Sequence, residues 1–201
     1  MLMFGWFRYC IFVFQNEFSK WTKMQYLFSL SLVFASFVLS AQVNWISFSD
    51  LEKAQQSDPR PVIVDMYTTW CGPCKMMDAN TFNHPKVAAY INRHFHAVKF
   101  NAEGNEEILF GGQRIVNEQY DPAKRGRNAT HPFAGSFAVN GRLAYPTTAY
   151  LSPDLKMLTQ PIQGYLTPDK IEPILKFFGS KAFERQTWDQ FNESFAPEWI
   201  N

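Results

Sequence analysis

The feature that most constrains this chain is a pair of cysteines, Cys71 and Cys74, separated only by Gly72 and Pro73. The pair follows an apolar run, residues 61–67, that is typical of a buried strand, and it precedes a helix-like segment. If a helix begins at this motif, Cys71 lies at its N-terminus, where unpaired N–H groups and the helix dipole stabilise a thiolate. The fixed φ of Pro73 suits the first turn of such a helix. We therefore expect a redox-active pair in which Cys71 is the nucleophile and Cys74 closes a disulfide.

Composition and charge exclude several other classes of protein. The chain has 201 residues, of which 46% are hydrophobic, enough for one filled core. Its 19 basic and 18 acidic residues give a net charge of +1, which does not favour nucleic acid as a partner. Three cysteines are too few for a disulfide scaffold or an all-cysteine zinc site. A zinc site built on the motif would need histidine ligands, and none shows paired metal-site spacing: His84, His94, His96 and His131.

The first 41 residues are predicted to be a leader rather than part of the fold. Lys20 and Lys23 precede an apolar run, residues 26–39, and small residues suited to cleavage follow it. We interpret residues 24–41 as a signal peptide that begins at Met24, and the apolar residues 2–14 before it are either an over-extended start or a second hydrophobic segment. An uncleaved leader that anchors the protein in a membrane is the alternative, although the run is shorter than a typical span. The leader predicts export.

Residues 42–201 are predicted to form one domain with alternating strands and helices. A capping-box pattern at Ser49–Glu52 predicts a short helix after the leader. The other predicted elements, from apolar periodicity and from Pro and Gly positions, are strands 62–68, 96–101, 147–151 and 157–165 and helices 85–94 and 167–178. A capping box at Thr187 predicts an additional C-terminal helix, within an extension over residues 180–201. Its apolar stripe of Trp188, Phe191 and Phe195 is expected to pack on the domain, with partner binding as the alternative.

Two acids and one lysine are candidate proton-transfer residues. Asp65 interrupts the strand before the motif, either as a polar residue at a strand end or as a buried carboxylate that takes the proton of Cys74. Lys99, in the strand 96–101, is either an ordinary surface lysine or a residue that tunes the proton affinity of Asp65. Asp78, one turn after Cys74, either faces solvent or faces the site.

The segment 102–144 is the least regular part of the sequence. Residues 113–120 are compatible with a strand, and Thr130 with Pro132 predicts a short helix through Val139. The basic run Lys124–Arg127 is most simply a solvated loop, and docking of an acidic partner is the alternative. After this segment, Pro146 opens a strand, a position that is compatible with a cis peptide bond.

These motifs, in this order, resemble those of the thioredoxin superfamily over about residues 45–178. The resemblance rests on residues 70–75, 99–101, 145–147 and Gly164, and residues 70–75 match the thioredoxin motif itself. Asp65–Tyr67 and residues 81–87 look more like the exported thioredoxin-like domains of membrane thiol:disulfide interchange proteins. The resemblance implies an α/β fold with a central mixed β-sheet flanked by helices. This chain departs from it by the insertion at 102–144, by Tyr145 before the proline and by the C-terminal helix.

The resemblance also implies roles for individual residues. Cys71 would attack a substrate disulfide, Cys74 would resolve the mixed disulfide, and Asp65 and Lys99 would assist proton transfer. Asp78 matches an acidic position near the cysteine pair in the interchange domains. Pro146 would be cis and would leave neighbouring backbone groups free to pair with a peptide. The implied substrate-binding residues are Trp70, Gly72, Pro73, Tyr145, Pro146 and Thr147.

The resulting functional hypothesis is a periplasmic protein-disulfide reductase whose only redox group is the Cys71–Cys74 disulfide. Its expected partners are protein or peptide disulfides and an upstream electron donor, such as a membrane thiol:disulfide interchange protein. No metal and no separate cofactor are expected. The alternatives are a disulfide oxidase or isomerase of the same compartment and a client-binding module without catalytic cysteines.

Overall fold

The computed structural model describes residues 42–199, which form a central mixed sheet covered by helices on both faces. The sheet has the spatial order β1-β3-β2-β6-β7. Strands β1 and β2 pair with β3 in parallel, whereas β6 runs antiparallel to both β2 and β7. The strands of this sheet are β1 (Trp45–Ile46), β2 (Val62–Tyr67), β3 (His96–Asn101), β6 (Thr147–Leu151) and β7 (Ile162–Gln163). A separate hairpin pairs β4 (Ile108–Phe110) with β5 (Gln113–Ile115).

Within residues 42–199, five α-helices and three irregular helical segments surround the sheet. The α-helices are α1 (Phe48–Ser57), α2 (Gly72–Met77), α3 (Pro85–His94), α4 (Pro168–Gly179) and α5 (Trp188–Ser194). A wider π-helical turn, Asp78–Phe82, continues α2, and short 3-10 helices span Pro132–Phe137 and Ala182–Glu184. Within residues 42–199, no helix has both the length and the apolar content that a membrane span requires.

The core consists of two apolar layers that the sheet separates. Val62, Val64 and Met66 of β2 belong to one layer, and Ile63 belongs to the other, as the alternation of side chains along a strand requires. Helices α3 and α4 cover the layer that contains Ile63, and α1 and the 3-10 helix 132–137 cover the opposite layer. Because β2 is buried on both faces, its sequence is a continuous apolar run with Asp65 as the one acidic residue.

The structure confirms the fold class and most of the predicted elements. The expected strands near 62–68, 96–101 and 147–151 and the helices at 85–94 and 167–178 are all present, within a residue or two at their ends. The short helix expected from Pro132 is the 3-10 helix 132–137. The structure does not test the domain boundaries, and the predicted leader, residues 1–41, lies outside the described residues.

Three local predictions are wrong. The first helix is capped by Ser47 and not by Ser49, because the hydroxyl of Ser47 accepts the backbone N–H of Asp50. The strand expected at 113–120 ends at Ile115, and the side-chain amide of Asn117 then donates to the Gly104 and Ala129 carbonyls, which holds the chain as a loop.

The strand expected at 157–165 is reduced to β7 and to one isolated bridge between Leu151 and Met157. Pro161 has no N–H to donate to a ladder, which is one reason that regular pairing does not continue through this stretch.

The C-terminal extension packs on α4. The capping box at Thr187 is confirmed, and the rings of Trp188 and Phe191 lie 5.3 and 5.2 Å from that of Phe177. The tail is held further along by Glu172 of α4, a fully buried carboxylate that accepts the backbone N–H groups of residues 198 and 199 at 2.8 and 2.9 Å. The expectation that the aromatic stripe packs on the domain is therefore confirmed.

Candidate redox site

The two motif cysteines are joined in a disulfide at the C-terminal edge of β2. The sulfur atoms of Cys71 and Cys74 are 2.06 Å apart, and their Cα atoms are 5.3 Å apart. Both residues are nearly buried, with 2% and 3% of their surface exposed, whereas Gly72 and Pro73 between them face solvent. A substrate can therefore approach the pair from the side of the Gly-Pro turn.

Cys71 is the N-cap residue of α2. Its Sγ accepts the backbone N–H of Cys74 at 3.1 Å, and its carbonyl accepts the N–H of Lys75 at 3.3 Å. Pro73 lies within the first turn, where its missing N–H leaves no broken hydrogen bond. Negative charge that develops on Cys71 Sγ on reduction would meet the N–H groups and the positive dipole end of the helix. The geometry thus favours Cys71 over Cys74 as the thiolate.

Asp65 is a buried carboxyl group on the face of β2 that also carries Ile63. Only 2% of its surface is exposed, and within the described residues its Oδ1 has no hydrogen-bonding partner. Burial raises the pKa of Asp65 to about 7, although the nearby charge of Lys99 lowers it. A carboxyl with a pKa near neutrality can both accept and return a proton at physiological pH.

Lys99 connects Asp65 to Asp78. Lys99 is opposite Asp65 in the β2–β3 register, and its Nζ lies 3.5 Å from Asp65 Oδ2. The same Nζ donates to Asp78 Oδ1, so that one ammonium group lies between two carboxylates. Asp78 therefore faces the site and not solvent alone, which was one of the two alternatives that the sequence left open. The negative charge of Asp78 raises the pKa of Asp65, opposing the effect of Lys99.

The loop before β6 provides the other wall of the site. The Tyr145–Pro146 peptide bond is cis, as the resemblance implies, and the ring of Tyr145 lies edge-on to that of Trp70 with 6.0 Å between their centroids. The Pro146 carbonyl accepts the N–H of Gly164, and the buried Thr147 hydroxyl donates to the Ala144 carbonyl. Among residues 42–199, the backbone N–H and C=O of Tyr145 make no hydrogen bond. Tyr145 thus offers the free backbone edge that peptide pairing needs.

The sequence analysis did not predict two contacts of Trp70 beside the motif. The Nε1 of Trp70 donates to Glu103 Oε2 at 2.8 Å, and the guanidinium carbon of Arg127 lies 4.2 Å from the centroid of the Trp70 ring. Glu103 had a usable signal, because it follows β3, and the C-terminal ends of the parallel strands β2 and β3 meet at one edge of the sheet. Nothing in the local sequence around Arg127 indicates its contact with Trp70.

The four histidines considered as zinc ligands do not gather around the cysteine pair. In the part of the chain that the structure describes, no group of three or more His, Cys, Asp or Glu side chains is placed to hold a metal ion. His131 is buried, and its two ring nitrogens contact the Glu106 carbonyl and the Phe133 N–H. That histidine is part of the core around the 3-10 helix 132–137.

Comparison with known proteins agrees with this geometry. The thioredoxin-like domain family model matches residues 48–179. The thiol:disulfide interchange protein DsbD of Pectobacterium atrosepticum is 36% identical over 47 residues, which cover 23% of this chain and 8% of that protein. The thioredoxin-like protein slr0233 of Synechocystis is 32% identical over 56 residues, which cover 28% of this chain and 50% of that protein. The matched stretches therefore span half or less of these curated relatives.

A solved structure supports the fold. A thioredoxin-fold protein from Helicobacter pylori superposes with a TM-score of 0.50 at 17% identity, over 78% of this chain and 85% of that one. The family model covers more than half of the 201 residues, and the cysteine pair lies at disulfide distance within the matched range. The chain therefore belongs to the thioredoxin-like family of thiol:disulfide oxidoreductases.

Proposed function

We propose that this protein is an exported protein-disulfide reductase that acts through Cys71 and Cys74. The observation that carries the proposal is the placement of Cys71 as the N-cap of α2, with its Sγ accepting the Cys74 N–H. The Gly-Pro pair between the cysteines supports the reducing direction, because it resembles the reducing members of the superfamily. The leader pattern in residues 24–41 supports export, and the periplasm is the proposed compartment.

The proposed reaction is a pair of thiol–disulfide exchanges. In the reduced protein, the Cys71 thiolate attacks a substrate disulfide, forming a mixed disulfide and releasing one substrate thiolate, which takes up a proton. The Cys74 thiol then loses its proton and attacks Cys71 Sγ. This second exchange releases the other substrate thiol and leaves the Cys71–Cys74 disulfide that the structure contains. The substrate gains two electrons, and the dithiol of the protein loses them.

Asp65 is proposed to accept the proton of Cys74 in the second exchange. A carboxylate with an ordinary pKa would be a weak base toward a thiol, whereas burial raises the pKa of Asp65 to about 7. Lys99 is 3.5 Å from this carboxylate and stabilises its charged form, so that the proton can leave again after the exchange. Asp65 and Lys99 together thus determine how readily Cys74 is deprotonated.

Substrate is proposed to bind as an extended peptide beside the cis proline. The unpaired backbone of Tyr145 can hydrogen-bond a strand that passes over Cys71, and the rings of Tyr145 and Trp70 flank it. Electrons would return to the protein from a membrane thiol:disulfide interchange protein. The local similarity to DsbD supports thiol–disulfide exchange with protein partners.

Trapping of mixed disulfides in the exporting cell tests this function. Cys74→Ala keeps the nucleophile but removes the resolving thiol, so exported clients should accumulate in disulfide linkage with Cys71. Cys71→Ala is the matched control and should trap nothing. Equal recovery of disulfide-linked proteins with both variants, or none with either, would contradict the proposal. Purified reduced protein should also reduce insulin faster than it reshuffles a scrambled substrate; the reverse order would indicate an isomerase.

A further inference from the structure

The insertion at 102–144 brings a cationic turn to the redox site. Lys124, Arg125 and Arg127 are all exposed, and they occupy three of four consecutive positions. The last of them, Arg127, lies with its guanidinium over the ring of Trp70, the residue that directly precedes Cys71. We call residues 121–128 the basic turn.

The basic turn has a defined conformation. Asn128 closes it, because its Oδ1 accepts the Asp121 N–H at 3.0 Å and its Nδ2 donates to the Asp121 carbonyl at 2.8 Å. Inside the turn, the Lys124 N–H donates to the same carbonyl, and Gly126 has a φ of +90° that side-chain-bearing residues rarely adopt. Eight residues that are tied end to end in this way hold their charges at one place on the surface.

The turn is also fixed to the active-site tryptophan. Glu103 Oε2 accepts both Trp70 Nε1 and the backbone N–H of Asn128, each at 2.8 Å, so one carboxylate joins the motif to the turn. The ring of Trp70 is thus held at its edge by Glu103 and covered on its face by Arg127. Any substrate chain that reaches Cys71 passes close to this assembly.

Among residues 42–199, none of the three cations of the turn forms an ion pair. Two acids lie close to them, Glu103 beside the turn and Asp121 at its start, and these accept N–H groups: Glu103 accepts two, and Asp121 Oδ1 accepts the N–H of Ala123. Among residues 42–199, Arg127 has no ion pair and no hydrogen-bonding partner, so its N–H groups remain available beside the ring. A planar guanidinium that is stacked on an aromatic ring is preorganised to bind a carboxylate through two parallel hydrogen bonds.

We propose that Arg127, with Lys124 and Arg125, selects disulfide substrates that carry acidic residues next to the reacting cysteine. The inference rests on the exchange chemistry of the family and not on the direction proposed above. The occupant is an acidic peptide segment of a client protein, bound at its carboxylates by the basic turn while its disulfide lies at Cys71. The insertion thereby makes the exchange site prefer substrates with negative charge near their disulfide.

Exchange rates with three short peptides test this selectivity. The peptides contain one disulfide and differ only in the flanking residues, which are Glu, Gln or Lys. The full-length chain is reduced with dithiothreitol and desalted, and the second-order rate constant with each peptide is measured. Exposed charge pairs contribute modestly, so we expect the Glu peptide to react about three- to fivefold faster than the Gln peptide, and the Lys peptide slower than both. High salt should reduce these ratios.

Variants separate selectivity from structure. Arg127→Gln should lower the Glu-to-Gln ratio toward one, because exchange with the Glu peptide should slow more than exchange with the Gln peptide. The double change of Lys124→Gln and Arg125→Gln keeps the contact with Trp70 and should lower the same ratio partly. Arg93→Gln is the matched control, because Arg93 is exposed near the end of α3, at the end of the strands opposite the motif. This variant should keep the wild-type Glu-to-Gln ratio.

Three results would overturn the inference. Equal rates with the Glu and Gln peptides in the wild type would remove the selectivity and leave the exchange function standing. An equal loss of rate with all three peptides in Arg127→Gln would mean that Arg127 only positions Trp70. Absence of exchange with every peptide, both for the reduced protein with disulfides and for the oxidised protein with dithiols, would overturn the exchange function together with its selectivity.

Discussion

Replacing the buried Asp65 with Asn should change how the stability of the oxidised protein depends on pH. Asn has nearly the same shape as Asp but cannot be charged, so the substitution removes one titration with little change of packing. Lys99 keeps its contact with Asp78 in the variant, and no cation is left without a partner. The comparison of wild type and variant therefore isolates the energetic effect of the Asp65 charge.

The magnitude follows from the pKa of Asp65. Burial raises this pKa from an ordinary value of 3.8 to about 7. The difference is about 3 units, and at roughly 1.36 kcal/mol per unit the charged form costs the folded state about 4 kcal/mol. The folded state binds the proton more tightly than the unfolded state. This contribution to stability is therefore fully present below about pH 4, is lost as the pH rises to about 7, and is constant above that value.

Urea unfolding of the two oxidised proteins from pH 4 to pH 8.5 measures this effect. The free energy of unfolding of Asp65→Asn, minus that of the wild type, should increase by about 4 kcal/mol across this range. Glu52→Gln on α1 is the matched control, because Glu52 is exposed and its replacement removes one carboxylate without a buried site.

A difference between Asp65→Asn and the wild type that does not change with pH would refute the reasoning. It would mean that Asp65 titrates alike in the folded and unfolded protein. Asp65 would then be an ordinary carboxylate, and its proposed part in deprotonating Cys74 would fall with it. A pH-dependent difference of the same size in Glu52→Gln would show that the effect is not specific to the buried carboxyl.

The structure predicts the outcomes of three further substitutions. Asp78→Asn removes a negative charge that raises the pKa of Asp65, so the carboxyl of Asp65 should titrate at lower pH, as followed by NMR. Glu172→Ala leaves two backbone N–H groups without an acceptor, one buried and one partly buried, and should cost about 2 to 4 kcal/mol of stability in urea unfolding. Gly179→Ala would place a Cβ 2.8 Å from a buried phenylalanine ring and should cost about 1 to 3 kcal/mol, whereas Gly135→Ala meets no atom within 4 Å and should be nearly neutral.

Each of these three predictions has a clear contrary result. An unchanged titration of Asp65 in Asp78→Asn would mean that the second carboxylate is too well screened to act on the first. Glu193→Ala, an exposed change on α5, is the control for Glu172→Ala, and equal losses in the two would contradict the role of the buried carboxylate. Equal stability of Gly179→Ala and Gly135→Ala would show that the ring beside Gly179 moves aside without cost.

The sequence predicts the local placement of the cysteine motif because the residues that determine it are close together in the chain. The motif cysteines, the buried strand before them and the helix after them are adjacent in the chain, so spacing alone places Cys71 at the N-terminus of α2. The strand pattern also places Asp65 near the motif. Its partner Lys99 lies more than thirty residues away, and the sequence offered this pairing only as one of two alternatives, which the β2–β3 register decides by placing the two residues opposite each other.

Other features depend on contacts that no local pattern contains. The sequence pattern predicted Ser49 as the cap of the first helix, whereas the structure caps it with Ser47, so that Phe48 begins the helix and packs against Phe100 and Phe133 of the core. The basic turn has an ordinary loop composition, and its position over Trp70 depends on how the whole insertion folds. Tertiary contacts of this kind decide between local alternatives that are nearly equal in energy.

The reduction potential of the Cys71–Cys74 pair tests the central claim most directly. The protein is equilibrated with glutathione or dithiothreitol buffers of known potential, and the fraction of the disulfide is measured after acid quenching and thiol alkylation. A reductase should have a potential near that of thioredoxin, about −270 mV, or a more negative one. A potential near that of the strongly oxidising members of the superfamily, about −120 mV, would contradict the proposed direction and identify the protein as an oxidant.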